Sequence, residues 1–396
     1  MSVYLDHAAT TPMYPQAARA MTAAFSHVGN PSSLHASGRA ARRVVEESRE
    51  AIAQALGARP GEVVFTSGGT EANNLAIKGC YWNRRRQNPR RNRIISTAVE
   101  HHAVLDQLHW LATDQGADVV LLPVDAEGRV ELETLAVEIE RDPEAVALVS
   151  VMWANNEVGT IQPVQEAAAL ARQYQIPFHT DAVQAVGQLP VSFADSGADA
   201  LTLTGHKLGG PFGVGALIVR RELALTPLIH GGGQEREIRS GTIDAPAIAG
   251  FAAAVELAVD RQPELSQRLI ELRRQLVEGV LGVVPDAICT GAIGADPKRR
   301  LPGNAHLRFP DCEGDSLLML LDAKGIECST GSACDAGVAQ ASHVLLAMGC
   351  SDEEARTSLR FSMGHTTTSA DIEALVSEIG PAVERARAAV RVMRGR

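Results

Sequence analysis

Residues 176–207 read IPFHTDAVQAVGQLPVSFADSGADALTLTGHK, with two short apolar, β-branched runs at 176–180 and 200–204. Runs of this kind are typical of strands that are covered by helices on both faces. Strands that alternate with longer connecting segments predict a mostly parallel sheet with right-handed crossovers. Asp181 directly follows the first run and Lys207 closely follows the second. Both residues should therefore lie at the carboxyl edge of the sheet, where α/β proteins bind ligands.

The same alternation of apolar runs and helical segments extends over much of the chain. Further strands are predicted at 62–66, 93–96, 119–122 and 145–152. Later in the chain the pattern changes to a long amphipathic helix, a turn-rich stretch, a short strand and another helix, at 262–282, 291–304, 306–309 and 317–319. This change predicts a domain boundary near residues 255–262.

The composition restricts the class of protein. A chain of 396 residues with 45% apolar and 21% charged residues is typical of a folded globular protein, and it excludes disordered, collagen-like and disulfide-rich classes. The formal net charge of -10 argues against direct binding of nucleic acid. The N-terminus has no signal-peptide pattern, and the longest apolar stretch, 145–154, is too short to span a membrane. The six cysteines include no C-x-x-C pair, so we expect reduced thiols, no metal site and a cytoplasmic location.

Three segments carry residues suited to chemistry, and each has a structural alternative. Lys207 could be a desolvated, nucleophilic amine or a surface lysine beside a turn. Asp181 could pair with a protonated pyridine nitrogen or cap the next helix. The segment 66–71, TSGGTE, joins a strand to a helix, and its glycines could admit an anion or form a plain capping turn. Together, the three segments predict an enzyme that binds pyridoxal phosphate.

Further motifs in the same order extend this pattern. They lie at 4–12, 67–71, 100–101, 155–159, 179–184, 205–207, 239–242, 332–334 and 358–362. On these motifs, the chain resembles the class V, fold-type I pyridoxal-phosphate enzymes, and among them the cysteine desulfurases of the NifS/IscS type. The block at 153–160 and the segment 339–342 look most like actinobacterial members. The resemblance covers about nine-tenths of the chain, from Tyr4 to Ser362.

The resemblance implies an α/β fold of the fold-type I transferases. Its large domain, 14–260, would bind the cofactor on a mostly parallel seven-stranded sheet between helices. A smaller α+β domain would comprise 1–13 and 261–396 and would carry the loop with Cys334.

The resemblance also implies a role for each candidate site residue. Lys207 should bind pyridoxal phosphate covalently and later move the α-proton of the substrate. His101 should stack on the cofactor ring and take part in proton transfers, while Asp181 should bind the ring nitrogen. Further cofactor contacts are implied for Gly69, Thr70, Asn156, Gln184, Thr204 and His206, and for Thr242 from the neighbouring subunit of a homodimer.

Arg360 and Asn156 are the predicted substrate-binding residues. A guanidinium can hold a substrate α-carboxylate with two parallel hydrogen bonds. Considered without the resemblance, an interdomain salt bridge explains Arg360 equally well.

Cys334 determines the reaction that we predict. It lies in a run of small, polar residues, 328–337, which is typical of an accessible thiol on a loop. Its thiolate would take sulfur from L-cysteine, giving a persulfide and releasing L-alanine. Cys328 is interpreted as the end of a strand, although a metal site formed by Cys312, Cys328 and Cys334 is an alternative.

The predicted partners are L-cysteine, a second copy of the chain, and a protein that accepts sulfur for iron–sulfur cluster assembly or tRNA thiolation. Two arginine clusters, 84–93 and 385–396, are interpreted either as solvated faces or as docking surfaces for the acceptor. Two other functions stay open: a selenocysteine lyase or β-lyase without a persulfide, and a non-catalytic partner protein that retains the fold.

Overall fold

The computed structural model describes residues 2–26, 28–292, 296, 299–331 and 341–394. The strands, β1 to β12, are Val3–Tyr4, Val63–Thr66, Arg93–Thr97, Asp118–Leu122, Val146–Ser150, Phe178–Asp181, Ala200–Thr204, Gly215–Val219, Ile288–Cys289, Asn304–Arg308, Ile326–Glu327 and Ser358–Ser362. The α-helices, α1 to α13, are Pro15–Phe25, Ala36–Ala55, Gly69–Gln87, His102–Gln115, Leu132–Glu140, Val164–Gln173, Phe193–Ser196, Ala245–Asp260, Gln262–Val283, Gly314–Asp322, His343–Ala347, Asp352–Ala355 and Ser369–Arg394.

A seven-stranded sheet forms the centre of the larger unit, with the strand order β2-β8-β7-β6-β5-β3-β4. Strand β8 is antiparallel to both of its neighbours, and the other pairs in this sheet are parallel. The prediction of a mostly parallel seven-stranded sheet is therefore confirmed. Every residue of β5, β7 and β8 is buried, because helices cover both faces of the sheet.

A separate apolar core supports the proposed division into two domains. Leu5, near the N-terminus, packs with residues of α9, β10, β12 and α13. The same core includes Leu269, Phe309, Phe361 and Leu375. Around it lie the antiparallel sheet β12-β10-β9 and the parallel pair β1-β11. We propose that 1–13 and 261–396 form the small domain because the first strand packs with the last third of the chain.

None of the described helices combines the length and the apolar character that crossing a lipid bilayer requires. Within the described part of the chain, no three histidine, cysteine, aspartate or glutamate side chains are grouped as a metal site would require. The alternative site of Cys312, Cys328 and Cys334 stays untested, because Cys334 lies outside the described residues.

Candidate active site

The carboxyl ends of neighbouring parallel strands meet at a cavity of about 380 Å³. Strand β6 ends at Asp181, β7 ends at Thr204, and the segment after β5 contributes Asn156. The cavity is lined by ten predicted site residues: Gly69, Thr70, His101, Asn156, Asp181, Gln184, Thr204, His206, Lys207 and Arg360. The topology of the sheet thus brings together residues that lie as far apart in the sequence as Gly69 and Arg360.

Lys207 lies inside this cavity, so its interpretation as a surface lysine beside a turn is wrong. Its Nζ donates a hydrogen bond to the carbonyl oxygen of Ala8 at 2.5 Å. Burial lowers the pKa of Lys207 to about 8, and the nearby positive charge of Arg360 contributes in the same direction. A lysine with this pKa has a substantial neutral fraction near physiological pH, which makes it a nucleophile.

The lowered pKa of Lys207 predicts how fast cofactor-free protein captures pyridoxal phosphate at different pH values. Only the neutral amine forms the covalent bond, so the rate should rise about tenfold per pH unit below pH 8 and level off above it. Borohydride trapping followed by peptide mapping measures this rate at Lys207. Free N-acetyl-lysine is the control, and its capture rate should keep rising to about pH 10. A Lys207 profile that follows the free amino acid would contradict the assignment.

Asp181 is held by two hydrogen bonds at the end of β6. Its Oδ1 accepts from the Val183 backbone N–H at 2.9 Å, and its Oδ2 accepts from Asn73 Nδ2 at 2.7 Å. The next helix, α7, begins at Phe193, so the interpretation of Asp181 as a helix cap is wrong. The two bonds orient the carboxylate in the cavity wall and leave lone pairs that can accept from a protonated ring nitrogen.

Asn73 and Ala8 belong to the site although the sequence analysis missed them. Asn73 follows Thr70 by three residues on α3, and this helical spacing places both on one face, so the spacing could have revealed it. The carbonyl oxygen of Ala8 accepts from both Lys207 Nζ and Gln184 Nε2, the latter at 2.9 Å. No local pattern in the sequence identifies this backbone acceptor.

The turn at 66–71 is suited to an anion. Helix α3 begins at Gly69, and no side chain caps its first turn, which leaves backbone N–H groups available. A Cβ atom added at Gly69 would lie 3.0 Å from Cγ2 of Val183 and 3.7 Å from Cβ of Thr204. The absence of a side chain at Gly69 therefore keeps a cradle open beside the helix N-terminus, with the Thr70 hydroxyl at its edge.

His101 lies in the cavity wall as the N-cap of α4. Its Nδ1 accepts a hydrogen bond from the Ala103 backbone N–H at 3.0 Å, so the neutral ring carries its proton on Nε2. Desolvation by the surrounding protein lowers the pKa of His101, and the Asp181 carboxylate opposes this shift. A neutral imidazole in this position can stack on a flat ring and donate a hydrogen bond from Nε2.

Arg360 contributes positive charge to the cavity wall. Its Nη2 donates to Asp6 Oδ1 at 2.6 Å, and its Nη1 donates to the Asn156 carbonyl oxygen at 3.0 Å. Arg360 thus lines the cavity and forms a salt bridge, but this pair is not the predicted interdomain salt bridge, because Asp6 and Arg360 both belong to the proposed small domain. Binding of a substrate carboxylate by Arg360 stays a prediction.

Among the predicted residues that the structure describes, Thr242 does not line the cavity. Thr242 is exposed on the segment after Arg239, and its proposed role depends on a second subunit. Cys334 lies outside the described residues, but both flanks of the segment 332–340 contact the cavity. Gly331 lines it directly, and Ser342 Oγ donates to Glu157 Oε2 on the other side.

The residues of the cavity fit pyridoxal phosphate. The neutral fraction of Lys207 suits its aldehyde, the helix N-terminus at Gly69 suits its phosphate, and Asp181 suits its ring nitrogen. A volume of about 380 Å³ is within the range of cofactor sites.

Comparison with known proteins gives the family. Residues 3–375 match the family model described as aminotransferase class-V. The chain belongs to this family. Its relatives include an IscS-like cysteine desulfurase of Mycobacterium tuberculosis, 57% identical over 99% of both chains. A solved structure described as a NifS-like protein superposes with a TM-score of 0.89 at 34% identity, over 97% of this chain and 100% of that chain. Another, of SspA in complex with cysteine, superposes with a TM-score of 0.77 at 33% identity, over 92% and 99% of the two chains.

The resemblance to the IscS and NifS members of the class-V family, and the similarity to actinobacterial sequences, are thereby confirmed.

Cys328 directly follows β11, as predicted for a strand end. Burial raises the pKa of the Cys328 thiol to about 12, and the Asp6 carboxylate contributes to the shift. A thiol with this pKa is almost fully protonated at neutral pH and is a poor nucleophile.

Proposed function

We propose that this member of the class-V family is a pyridoxal-phosphate-dependent cysteine desulfurase, a sulfurtransferase that converts L-cysteine to L-alanine and leaves the sulfur as a persulfide on Cys334. The observation that carries the proposal is the single cavity that contains a nucleophilic lysine, an oriented aspartate and a buried arginine. The names of the similar proteins support the same reaction.

In this proposed reaction, each of several residues has its own role. Arg360, together with Asn156, binds the α-carboxylate of L-cysteine, and Lys207 holds the cofactor and then moves the α-proton. When bound, pyridoxal phosphate supplies an electron sink for the negative charge left on the substrate carbons. The Cys334 thiolate attacks the substrate sulfur, so that the carbon–sulfur bond breaks and a sulfur–sulfur bond forms. His101 and Lys207 return protons to the carbon skeleton, and L-alanine leaves.

Two observations support Cys334 as the nucleophile. Gly331 lines the cavity and precedes Cys334 by three residues, which span at most about 11 Å. Burial raises the pKa of each of the five other cysteines: Cys80, Cys289, Cys312, Cys328 and Cys350. None of these five thiols therefore has the lowered pKa that a reactive cysteine requires.

The rival function is a selenocysteine lyase or a β-lyase that releases sulfide without a protein persulfide. Both alternatives would use Lys207 and Asp181 but would not need a cysteine on the protein. Release of L-alanine from L-cysteine by purified, cofactor-loaded protein tests the proposal. Protein that binds the cofactor but produces no L-alanine would contradict it, and its turnover of selenocysteine would then support the lyase.

We propose that the active unit is a homodimer in which Thr242 contacts the phosphate bound in the neighbouring subunit. The segment that carries Thr242 is tied to the phosphate cradle, because Arg239 Nε donates to Glu71 Oε1 at 2.9 Å. The other oxygen of Glu71 accepts from the Ser67 backbone N–H at 2.8 Å. Thr242 itself is exposed, as a residue that serves a partner's site must be.

The replacement Thr242→Ala tests the shared site. Loss of one hydrogen bond to a charged phosphate should weaken cofactor binding about tenfold. Mixing this variant with Lys207→Ala should produce dimers in which one site has both Lys207 and Thr242, and that site should regain tight binding and activity. Titration of pyridoxal phosphate into separate and mixed variants measures the effect. Unchanged affinity for Thr242→Ala, or no recovery on mixing, would argue against the shared site.

The arginine cluster at 84–93 is largely paired with other groups of the chain. Arg90 contacts Asp142 and Glu144, and Arg93 contacts Asp118. In the C-terminal cluster, Arg387 pairs with Asp286. These pairs favour a solvated face over a docking surface for the cluster at 84–93, whereas the single pair of Arg387 leaves both interpretations of the C-terminal cluster open. We propose that the sulfur goes to a protein acceptor for iron–sulfur cluster assembly or tRNA thiolation, in a cytoplasmic setting.

A further inference from the structure

The Arg360 guanidinium is fixed from two directions. Its side chain is only 6% exposed, and it lies on β12, whose residues are all buried. Nη2 donates to Asp6 and Nη1 donates to the backbone of Asn156, whereas Nε is buried and has no hydrogen-bond partner among the residues that the structure describes. A buried guanidinium with one carboxylate partner depends strongly on that partner, because removing it leaves an uncompensated charge.

Asp6 contacts Arg360 but is not itself among the described residues of the cavity wall. The described residues that line the cavity include Arg360 and Asn156 but do not include Asp6. A ligand carboxylate that enters the cavity can therefore reach the guanidinium without displacing the carboxylate of Asp6. Asp6 can therefore support Arg360 while a ligand is bound, without competing with the ligand carboxylate for the guanidinium.

The backbone of Asp6 is itself held firmly. It forms a parallel bridge with Ser362, two residues after Arg360 on the same strand. Its carbonyl oxygen accepts hydrogen bonds from the backbone N–H groups of Ala9 and Thr10, at 3.0 and 3.3 Å, and from Tyr4 Oη at 3.1 Å. The N-terminal segment therefore presents the Asp6 carboxylate at a defined place beside β12.

From this geometry we infer that Asp6 is a positioning residue that orients Arg360 for the α-carboxylate of the substrate and so contributes to the selectivity for α-amino acids. The inference rests on the proposed function, in which Arg360 binds this carboxylate. Asp6 also lies close enough to Lys207 to raise its pKa, opposing the effect of Arg360. The N-terminal segment thus acts both on the Arg360 guanidinium and, through the charge of Asp6, on the pKa of Lys207.

The test compares L-alanine binding to cofactor-loaded wild type, Asp6→Asn and Asp6→Ala by calorimetry. L-Alanine is the product of the proposed reaction and carries the same α-carboxylate as the substrate. We expect about 5-fold weaker binding for Asp6→Asn, which keeps the shape but loses the charge, and about 20-fold weaker binding for Asp6→Ala. In the matching kinetic measurement, KM for L-cysteine should rise by similar factors while kcat changes little.

Asp286→Asn is the matched control, because it makes the same chemical change in a salt bridge to an arginine, Arg387, at a half-exposed residue that is not among those described as lining the cavity. Its affinity for L-alanine should stay within about twofold of wild type. Asp6→Glu should recover part of the affinity that Asp6→Ala loses. Cysteamine, which lacks the carboxylate, should bind the wild type and the Asp6 variants equally.

The failure of this inference differs from the failure of the proposed function. If the wild type binds L-alanine and the Asp6 variants bind it equally well or more tightly, Asp6 is not a positioning residue, and tighter binding would show that it competes with the substrate. If the cofactor-loaded wild type binds neither L-alanine nor L-cysteine, the proposed function itself is wrong.

Discussion

Lys207→Ala is expected to lose L-cysteine turnover by about 10³-fold or more, together with the visible absorbance of covalently bound cofactor. The size of this effect follows from the proposed reaction, in which Lys207 both holds the cofactor and moves the α-proton. Its Nζ lies against the carbonyl oxygen of Ala8, and its pKa is lowered to about 8. Alanine-release assays and absorbance spectra measure the two losses separately.

In the same experiment, Lys207→Arg separates the effect of the positive charge at this position from the effect of the nucleophilic amine. Arginine keeps a positive charge in the cavity but stays protonated at neutral pH, so it should be as inactive as alanine. The control is Lys324→Ala, because Lys324 pairs with Glu378 on the surface and has no contact with the cavity. Its activity should match the wild type. Substantial turnover by either Lys207 variant would refute the role of this lysine.

Cys334→Ser is expected to reduce alanine release from L-cysteine by about 10²-fold or more, because the hydroxyl is a far weaker nucleophile toward sulfur than a thiolate. The variant should still bind pyridoxal phosphate with the spectrum of the wild type, since Lys207, Asp181 and Gly69 are unchanged. The experiment therefore isolates the sulfur-transfer step from cofactor binding.

Cys328→Ser provides the matched control for Cys334. It makes the same chemical change six residues earlier, at a half-buried thiol whose pKa is raised to about 12. Its activity should stay within about threefold of wild type. If Cys334→Ser consumes L-cysteine at the rate of the wild type and releases sulfide together with pyruvate and ammonia, the chain is a β-lyase and not a desulfurase.

Much of the larger unit could be predicted from the sequence, because buried parallel strands are recognisable as short apolar runs. Strand β8 is not among the predicted strands, because it follows β7 through a turn with no helix between them and so departs from the alternation of strands and helices. The run Gly215–Val219 is nevertheless fully buried and apolar. Its antiparallel direction follows from the short connection.

The candidate site was predictable to the extent that its residues end strands or begin helices. Asp181 ends β6 and Gly69 begins α3, and Lys207 lies three residues after the end of β7, so their local context indicated their positions. The Asp6–Arg360 contact joins residues 354 positions apart, and the Ala8 carbonyl carries no side-chain signal. Such contacts depend on how the two ends of the chain meet, which no local pattern contains. The role of Thr242 depends in addition on a second subunit.

Mass spectrometry of cofactor-loaded protein after brief exposure to L-cysteine tests the central claim most directly. Proteolysis without reducing agent and peptide mapping identify the residue that carries transferred sulfur. The account predicts that the peptide with Cys334 gains the mass of one sulfur atom, that L-alanine appears in equal amount in the first turnover, and that reduction removes the added mass. Sulfide release with every cysteine peptide unmodified, or sulfur found on Cys328 in place of Cys334, would contradict it.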